Sequence, residues 1–485
     1  MKQKEMKETE AGITAKKKEN FSEWYTQVIQ KAEMADYTDV SGCIVFRPRA
    51  YAIWEKVQAW FDKEIKKLGI VNAYFPLFIP KRLLEKEAEH VEGFTPEVAW
   101  VTQAGETKLN EWLAIRPTSE TIMYESYKKW IRSYRDLPLR LNQWCNVVRW
   151  EFKNPVPFIR TREFLWQEGH TAFADKKEAE KEVMDILKLY KKVYEELYAV
   201  PVLIGKKSQK EKFAGAEYTT SIETFVPNGK AVQAATSHFL GQNFSKAFDI
   251  SFLDEKEQKK YAYQNSWGMT TRTIGIMIMI HGDNKGLIIP PRVAPVHAII
   301  VPILFEKNKE KTINAAKKLH KQLQKENFAT EIDLREGYTS GWKFNEWEMK
   351  GIPIRIEIGP KDLQNKQAVL VRRDTGEKQA VKLEQIEKKI PKLLEEIQQN
   401  LFDKAQKFLK ENTKQANNWL EFDKAVKEKK LIYAPWCNAT KCEEEIKDKT
   451  GVKVLNIPFK FIKPKGKCVN CNNQAKVMTY FARSY

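Results

Sequence analysis

The chain has 485 residues, with 83 Lys and Arg against 64 Asp and Glu, so its formal net charge is +19. A hydrophobic fraction of 42% with 12% aromatics lies in the globular range, and the length suits about two to four domains. A disordered chain and a small disulfide-stapled module are excluded. No apolar run approaches the ~18 residues of a membrane span, the longest being Ile274 to Ile280 and Val296 to Phe305. The opening stretch MKQKEMKETEAGITAKKKEN mixes both charge signs around no apolar centre, unlike a secretory signal or a transit peptide. A cytoplasmic protein without a membrane partner is the expectation. The basic excess points to a polyanionic partner and is concentrated at the end, where residues 401–485 hold 18 Lys and Arg against 9 Asp and Glu, or +9. A solvated lysine-rich surface and a phosphate-backbone footprint explain that charge equally well.

The first element is an amphipathic helix carrying Ile53, Trp54, Val57, Trp60, Phe61 and Ile65, followed by an extended apolar segment from Asn72 to Pro80. Two antiparallel strands are expected at Leu141–Phe152 and Arg160–Phe173, joined by the Pro-containing loop from Lys153 to Ile159. Alternation puts Arg149 with Glu151 on one face of the first strand and Trp166, Glu168 and His170 on one face of the second. A helix from Lys176 to Leu197 carries Asp175 as its N-cap, and strands are expected at Ala231–Phe239 and Thr271–Ile280. Prolines mark a linker near residues 288–296. Beyond it strand, helix, strand, helix and strand alternate from His297 to Ile358, a compact α/β unit. Its last helix, Leu383 to Leu401, is interrupted by Pro391, and a Cys-bearing tail looks like a third unit.

The stretch NVVRWEFKNPVPFIRTREFLWQEGHTAF (146–173) is unusually charged for a sheet. By itself it also admits a plainer reading, an exposed antiparallel face with cross-strand ion pairs. Together with GCIVFRPRAYAIWEKVQAWFDKEIKKLGIVNAYFPLFIP and NSWGMTTRTIGIMIMIHGD, in that order, it resembles the three signature motifs of class II aminoacyl-tRNA synthetases. The segments IRPTSET, FLWQEGHTAF, KFAGAEYTTSIE and QAATSHFLGQNF resemble prolyl-tRNA synthetases of the archaeal and eukaryotic type. So does GWKFNEWEMKGIPIRIEIGPKDL, which is similar to that family's anticodon binder, and the resemblance covers nearly the whole chain.

The resemblance implies an α/β (α+β) fold: residues 1–22 as an N-terminal extension, 23–290 as a class II catalytic domain built on an antiparallel sheet, 291–402 as an α/β anticodon-binding domain, and 403–485 as a zinc-binding α/β domain. It implies an ATP- and Mg²⁺-dependent homodimer that activates L-proline and charges tRNA(Pro). Arg149 would bridge the α-phosphate and the prolyl carboxylate, Arg160 and Arg272 would hold the outer phosphates, and Phe164 with Arg272 would sandwich adenine. Thr161, Gln233, Thr236, Thr270 and Glu151 are further nucleotide contacts by the same resemblance. Thr118 and Glu120 would receive the secondary ammonium, with Trp166, Glu168, His170, Phe213 and His238 around the ring. Each has a plainer reading: Trp166 and Phe213 as core aromatics, Thr118 as a helix cap, His238 as a satisfied buried histidine.

Cys437-x4-Cys442 and Cys468-x2-Cys471 supply four thiolates in two pairs, the donor set of a closed, structural Zn²⁺ site. Cys43 and Cys145 lack partners in sequence and read as small hydrophobes rather than nucleophiles. In the segment similar to the anticodon binder, Lys343, Glu346, Arg355 and Lys361 are candidate RNA contacts, each also readable as a solvated surface charge. Two other functions stay open from sequence: a class II-like paralogue that adenylates for a non-tRNA acceptor, and a non-catalytic tRNA-binding regulator.

Overall fold

The computed structural model describes residues 12–90, 97–151, 153–464 and 466–485. Residues 1–11 of the expected extension, and Phe152 at the expected end of a strand, lie outside them. The amphipathic helix spans Pro48–Lys66, with Pro48 at its first turn, where a missing N–H is harmless, and Ile53, Trp54, Val57, Phe61 and Ile65 buried. A second helix, Lys176–Lys192, is capped by Asp175, whose side chain accepts from the Glu178 N–H at 3.0 Å. Both lie against a large sheet centred on Leu139–Val148, Glu163–Phe173, Tyr263–Thr270, Lys230–Gly241 and Tyr218–Val226, successive neighbours being antiparallel.

Several expectations are corrected. Residues 271–280 form no strand: Arg272–His281 is a helix, buried on nearly every side. A helix with no solvated face has no 3.6-residue hydrophobic rhythm, so its apolar run cannot be told from a buried strand. Gly275 lets it approach its neighbours, since a Cβ there would lie 2.6 Å from the Ile159 side chain and 2.8 Å from the Tyr25 hydroxyl. Pro391 does not interrupt its helix, which runs Ile386–Asn412. The proline sits in an exposed second turn, where the carbonyl it leaves unbonded can be hydrated. The first hairpin strand ends at Val148, so Arg149 and Glu151 share no strand face.

The α/β unit is a five-stranded sheet in the order Thr330–Ile332, Ala298–Pro302, Ile354–Ile358, Gln367–Arg372, Lys378–Lys382, the first three parallel and the last two antiparallel. The residues expected to form a linker are packed instead, with Ile289, Val293 and Ala294 fully buried. The tail has a core of its own around Phe422, Trp436 and Phe481, and it also joins the large sheet. Its strand Val477–Ser484 pairs in parallel with Lys230 and Ala231, and Ile457–Pro458 pairs with Gly205 and Lys206. A small core of Phe225, Ala231, Leu431, Leu455 and Ala482 seals that junction.

Candidate active site

Sheet register assembles the site. Gln143 lies opposite Glu168 and Cys145 opposite Trp166. On the other side Trp166 faces Thr270, Glu168 faces Gly268 and His170 faces Ser266. Ser266 faces His238, which faces Thr219. Directly opposed residues share a sheet face, so Trp166, Glu168, His170 and His238 form one floor. Above it is a cavity of about 290 Å³, walled also by Thr118, Glu120, Arg149, Arg160, Thr161, Phe164, Phe213, Gln233, Thr236, Thr270 and Arg272. Glu151 is not in that wall; it is exposed on the turn after Arg149.

One end of the cavity is cationic. The Arg149 Nε donates to the Pro117 carbonyl at 2.9 Å, and the guanidinium lies over the rings of Phe164 and Trp166 at 5.6 and 5.3 Å. Arg272 donates from Nε to the Ile159 carbonyl at 2.9 Å and from Nη1 to the Gln233 carbonyl at 2.8 Å. Burial, then the like charges of Arg149 and Arg160, hold the Arg272 pKa below the ordinary guanidinium range, against the opposing pull of Tyr194 and Glu223. An anion placed among these groups relieves their repulsion.

The other end is a buried polar network. Glu168 accepts from the Ser119 N–H at 3.1 Å, from the Ser119 hydroxyl, from Gln143 Nε2 at 3.0 Å, and meets His170 Nε2 at 3.0 Å. Burial alone would raise the Glu168 carboxyl, but these partners outweigh it and hold it below the usual range. Burial likewise disfavours a charged His170, yet the Glu120 charge and the bond to Glu168 prevail and raise it. Burial, then the His170 charge, push His238 down to about 3. Its Nδ1 is 2.9 Å from the Thr219 hydroxyl and its ring is 4.7 Å from that of Phe213. Thr118 does not cap the helix Glu120–Trp130; its hydroxyl donates to the Glu120 carboxylate.

The four C-terminal cysteines converge, with all four sulfurs within 4.8 Å of one another. Cys442 and Cys468 are 3.6 Å apart at sulfur, as are Cys437 and Cys471. Zn–S bonds of about 2.3 Å in a tetrahedron put sulfurs about 3.8 Å apart, so the donors and spacing fit a closed metal site.

A class II tRNA synthetase core domain (G, H, P, S and T) matches residues 101–281, an anticodon binding domain matches residues 297–393, and a prolyl-tRNA synthetase C-terminal domain matches residues 419–485. Over 99% of its length the chain is 52% identical to the cytoplasmic proline–tRNA ligase of Arabidopsis thaliana, 92% of which it covers. The chain belongs to the prolyl-tRNA synthetase family. It is also 51% identical to the proline–tRNA ligase of Natranaerobius thermophilus, over 96% of this chain and 97% of that one. The bifunctional glutamate/proline–tRNA ligase of Drosophila melanogaster is 52% identical over 99% of this chain, which spans 29% of that longer protein. The chain spans about a third of the length of the mouse and Chinese hamster (Cricetulus griseus) bifunctional ligases, 33% of each.

Within the family's anticodon-binding domain the four predicted RNA contacts are placed unequally. Lys343 is buried, its Nζ 3.5 Å from Asp333 and bonded to the Asp333 and Arg335 carbonyls. Glu346 pairs with Arg335 and, at 2.8 Å, with Lys350, while Arg355 pairs with Glu357 at 2.9 Å. Lys361 is exposed. Sequence reading overlooked the group beside them, where Tyr338 and Trp342 stack at 4.1 Å with the Arg335 guanidinium 5.3 and 5.4 Å from their rings. In the catalytic domain it overlooked Ser119, an uncharged residue inside the IRPTSET segment, and Gln143, which lies in none of the quoted segments. For Gln143 the signal was parity, because it falls on the site face of its strand. Cys145 sits beside them, accepting from the Trp166 indole at 3.2 Å, and burial followed by the Glu168 charge pushes its thiol well up, away from a nucleophilic thiolate.

Three histidines make stability depend on acidity. Burial pushes His238 to about 3 and His297 to about 4; burial also takes His281 to about 4, aided by Lys17 and Lys404 and opposed by its bond to the Tyr198 carbonyl. Each stays neutral in the fold while the unfolded chain binds a proton below about 6.5, so stability falls as pH drops from there toward the folded values. The slope is about 1.4 kcal/mol per pH unit for each histidine. His170, shifted upward, acts in the opposite window: its contribution is complete below about 6.5 and is lost as pH rises through its folded value. Urea midpoints between pH 7 and pH 5 should fall, and His281→Gln should flatten that fall; equal slopes for the two proteins would contradict the assignment.

Proposed function

We propose that the protein is a proline–tRNA ligase that activates L-proline with ATP to prolyl-adenylate and diphosphate, then transfers the prolyl group to the 3′-terminal ribose of tRNA(Pro). The observation carrying this reading is a single cavity with tethered arginines at one end and a closed acidic and aromatic pocket at the other. Attack of a carboxylate on the α-phosphate brings two anions together, so the task is positioning and charge neutralisation rather than covalent catalysis. Arg149 belongs to the cationic end but stacks on Trp166 of the pocket floor, and its fork spans the prolyl carboxylate and the α-phosphate. Arg160 and Arg272 hold the outer phosphates, and Phe164 and Arg272 enclose adenine, with Thr161, Gln233, Thr236 and Thr270 as polar contacts. Mg²⁺ would neutralise phosphate charge when bound; Glu151, an exposed hard oxygen donor two residues after Arg149, is the residue we assign to it. The secondary ammonium goes to Glu120 and Thr118. The pyrrolidine ring goes between Trp166, Phe213 and His238, over the Glu168–His170 pair.

The aromatic walls that meet the ring reject near-isosteres by only ~1–3 kcal/mol, so alanine and cysteine should be activated weakly. For tRNA we assign the anticodon to the 291–402 unit, with bases stacking on Tyr338 and Trp342 and Lys361 meeting the backbone. Zn²⁺ in the four-cysteine site would be structural, with no coordination position left for substrate. We also read the protein as a cytoplasmic homodimer divided at residues 1–22, 23–290, 291–402 and 403–485. Exposed Tyr51, Val71 and Tyr74 on and beyond the Pro48–Lys66 helix support the dimer, and no helix among the described residues is long and apolar enough to cross a membrane. The tethered arginines favour this reading over a non-catalytic regulator, and the anticodon-binding match favours it over adenylation for a non-tRNA acceptor. Amino-acid-dependent ATP–pyrophosphate exchange across the twenty standard amino acids tests it. Proline should lead; a different leader refutes the specificity, and no exchange from folded protein refutes the activity.

A further inference from the structure

Gln143 touches neither end of the cavity, yet it is fully buried and connects three segments that build the amino-acid end. Its Oε1 accepts from the Phe75 N–H, in the segment after the Pro48–Lys66 helix. Its Nε2 donates to Glu168 Oε1 at 3.0 Å and to the Ser119 hydroxyl at 3.0 Å, one residue before Glu120. The Phe75 N–H can only donate, so the amide orientation is set: oxygen toward Phe75, nitrogen toward Glu168.

From this geometry we infer that Gln143 is a positioning residue for amino-acid specificity, holding the Glu168 carboxylate ionised and aimed at His170 while locking the start of the Glu120 helix to the same floor. The inference rests on the assignment of this pocket to proline. A buried carboxylate needs its donors, and Glu168 has Ser119, His170 and Gln143 around it. The His170 Nδ1 lies 3.3 Å from the Tyr124 hydroxyl on the Glu120–Trp130 helix, whereas Gln143 carries its other end to Phe75, so it ties the carboxylate's direction to the position of that segment. The phosphate end has its own tethers, the Pro117, Ile159 and Gln233 carbonyls, and should not feel the loss.

Gln143→Glu is the discriminating variant. It keeps the shape and the acceptor for the Phe75 N–H but sets a second carboxyl 3.0 Å from Glu168. Two carboxylates so close share a proton, and the pair then titrates as a unit. In ATP–pyrophosphate exchange, KM for proline should rise about tenfold at pH 8 and fall back toward the wild-type value near pH 6, as the proton restores a donor to Glu168. KM for ATP should change less than about twofold. Ser119→Ala, which removes one donor and adds no charge, should raise KM for proline less and without the pH recovery, and it carries the test if Gln143→Glu fails to fold. An unchanged proline KM in the folded variants, or proline and ATP KM values rising together at every pH, overturns the inference. Failure of the wild-type protein to exchange with proline would overturn the functional reading instead, so the two failures are distinguishable.

Discussion

Arg149→Ala is expected to lower proline-dependent pyrophosphate exchange by about 10²–10³-fold or more, the scale seen when a preorganised donor to developing charge is removed. Arg149 is held from behind by the Pro117 carbonyl and from the side by the Phe164 and Trp166 rings, so its direction is set before substrate arrives. Arg149→Lys should recover little of the lost rate, because an ammonium replaces a planar fork with a point charge and gives up the ring stacking. Filter binding of tRNA should be unchanged in both variants, since the anticodon-binding match lies at residues 297–393. Exchange at the wild-type rate by Arg149→Ala would remove the central element of the proposed site.

The second large effect should follow disruption of the proposed zinc site. Structural zinc contributes an apparent ~10–16 kcal/mol in small zinc domains, comparable to the whole ~5–15 kcal/mol stability of a typical domain. Cys468→Ser should therefore abolish stoichiometric zinc binding and open residues 403–485 to proteolysis. The damage should reach the catalytic sheet, because Val477–Ser484 pairs with Lys230 and Ala231 only two residues from Gln233, whose carbonyl orients Arg272. Metal analysis, limited proteolysis and exchange measured together check this. A zinc-free variant with wild-type protease resistance would show that the four-cysteine site carries no structural load.

How much could be read in advance differed by element. The Lys176 helix was visible because its stripe has a solvated opposite face and its cap is a local Asp175. The Arg272 helix was mistaken for a strand because it is buried on nearly every side, which erases the rhythm on which such reading depends. Cavity-wall residues with charge or aromatic bulk were legible, and the cavity gathers them apart from Glu151. Ser119 and Gln143 were not, since neutral hydrogen-bonding residues gain meaning only from what stands opposite them.

The sequence by itself carried the family resemblance, through motif order, and the arginines, carboxylates and four paired cysteines from which the proposed sites are built. It also set which residues of Glu163–Phe173 share a face, because strand alternation is a local property of the chain. Only the tertiary structure decided that the tail joins the catalytic sheet, that Lys343 is an internal tie rather than an exposed contact, and that Gln143 binds Phe75 to Glu168. Those outcomes depend on burial and on partners 8 to 254 residues away in sequence, the Lys343–Arg335 and Ala231–Tyr485 contacts being the extremes. Distances of that kind are set by packing, which no local pattern records.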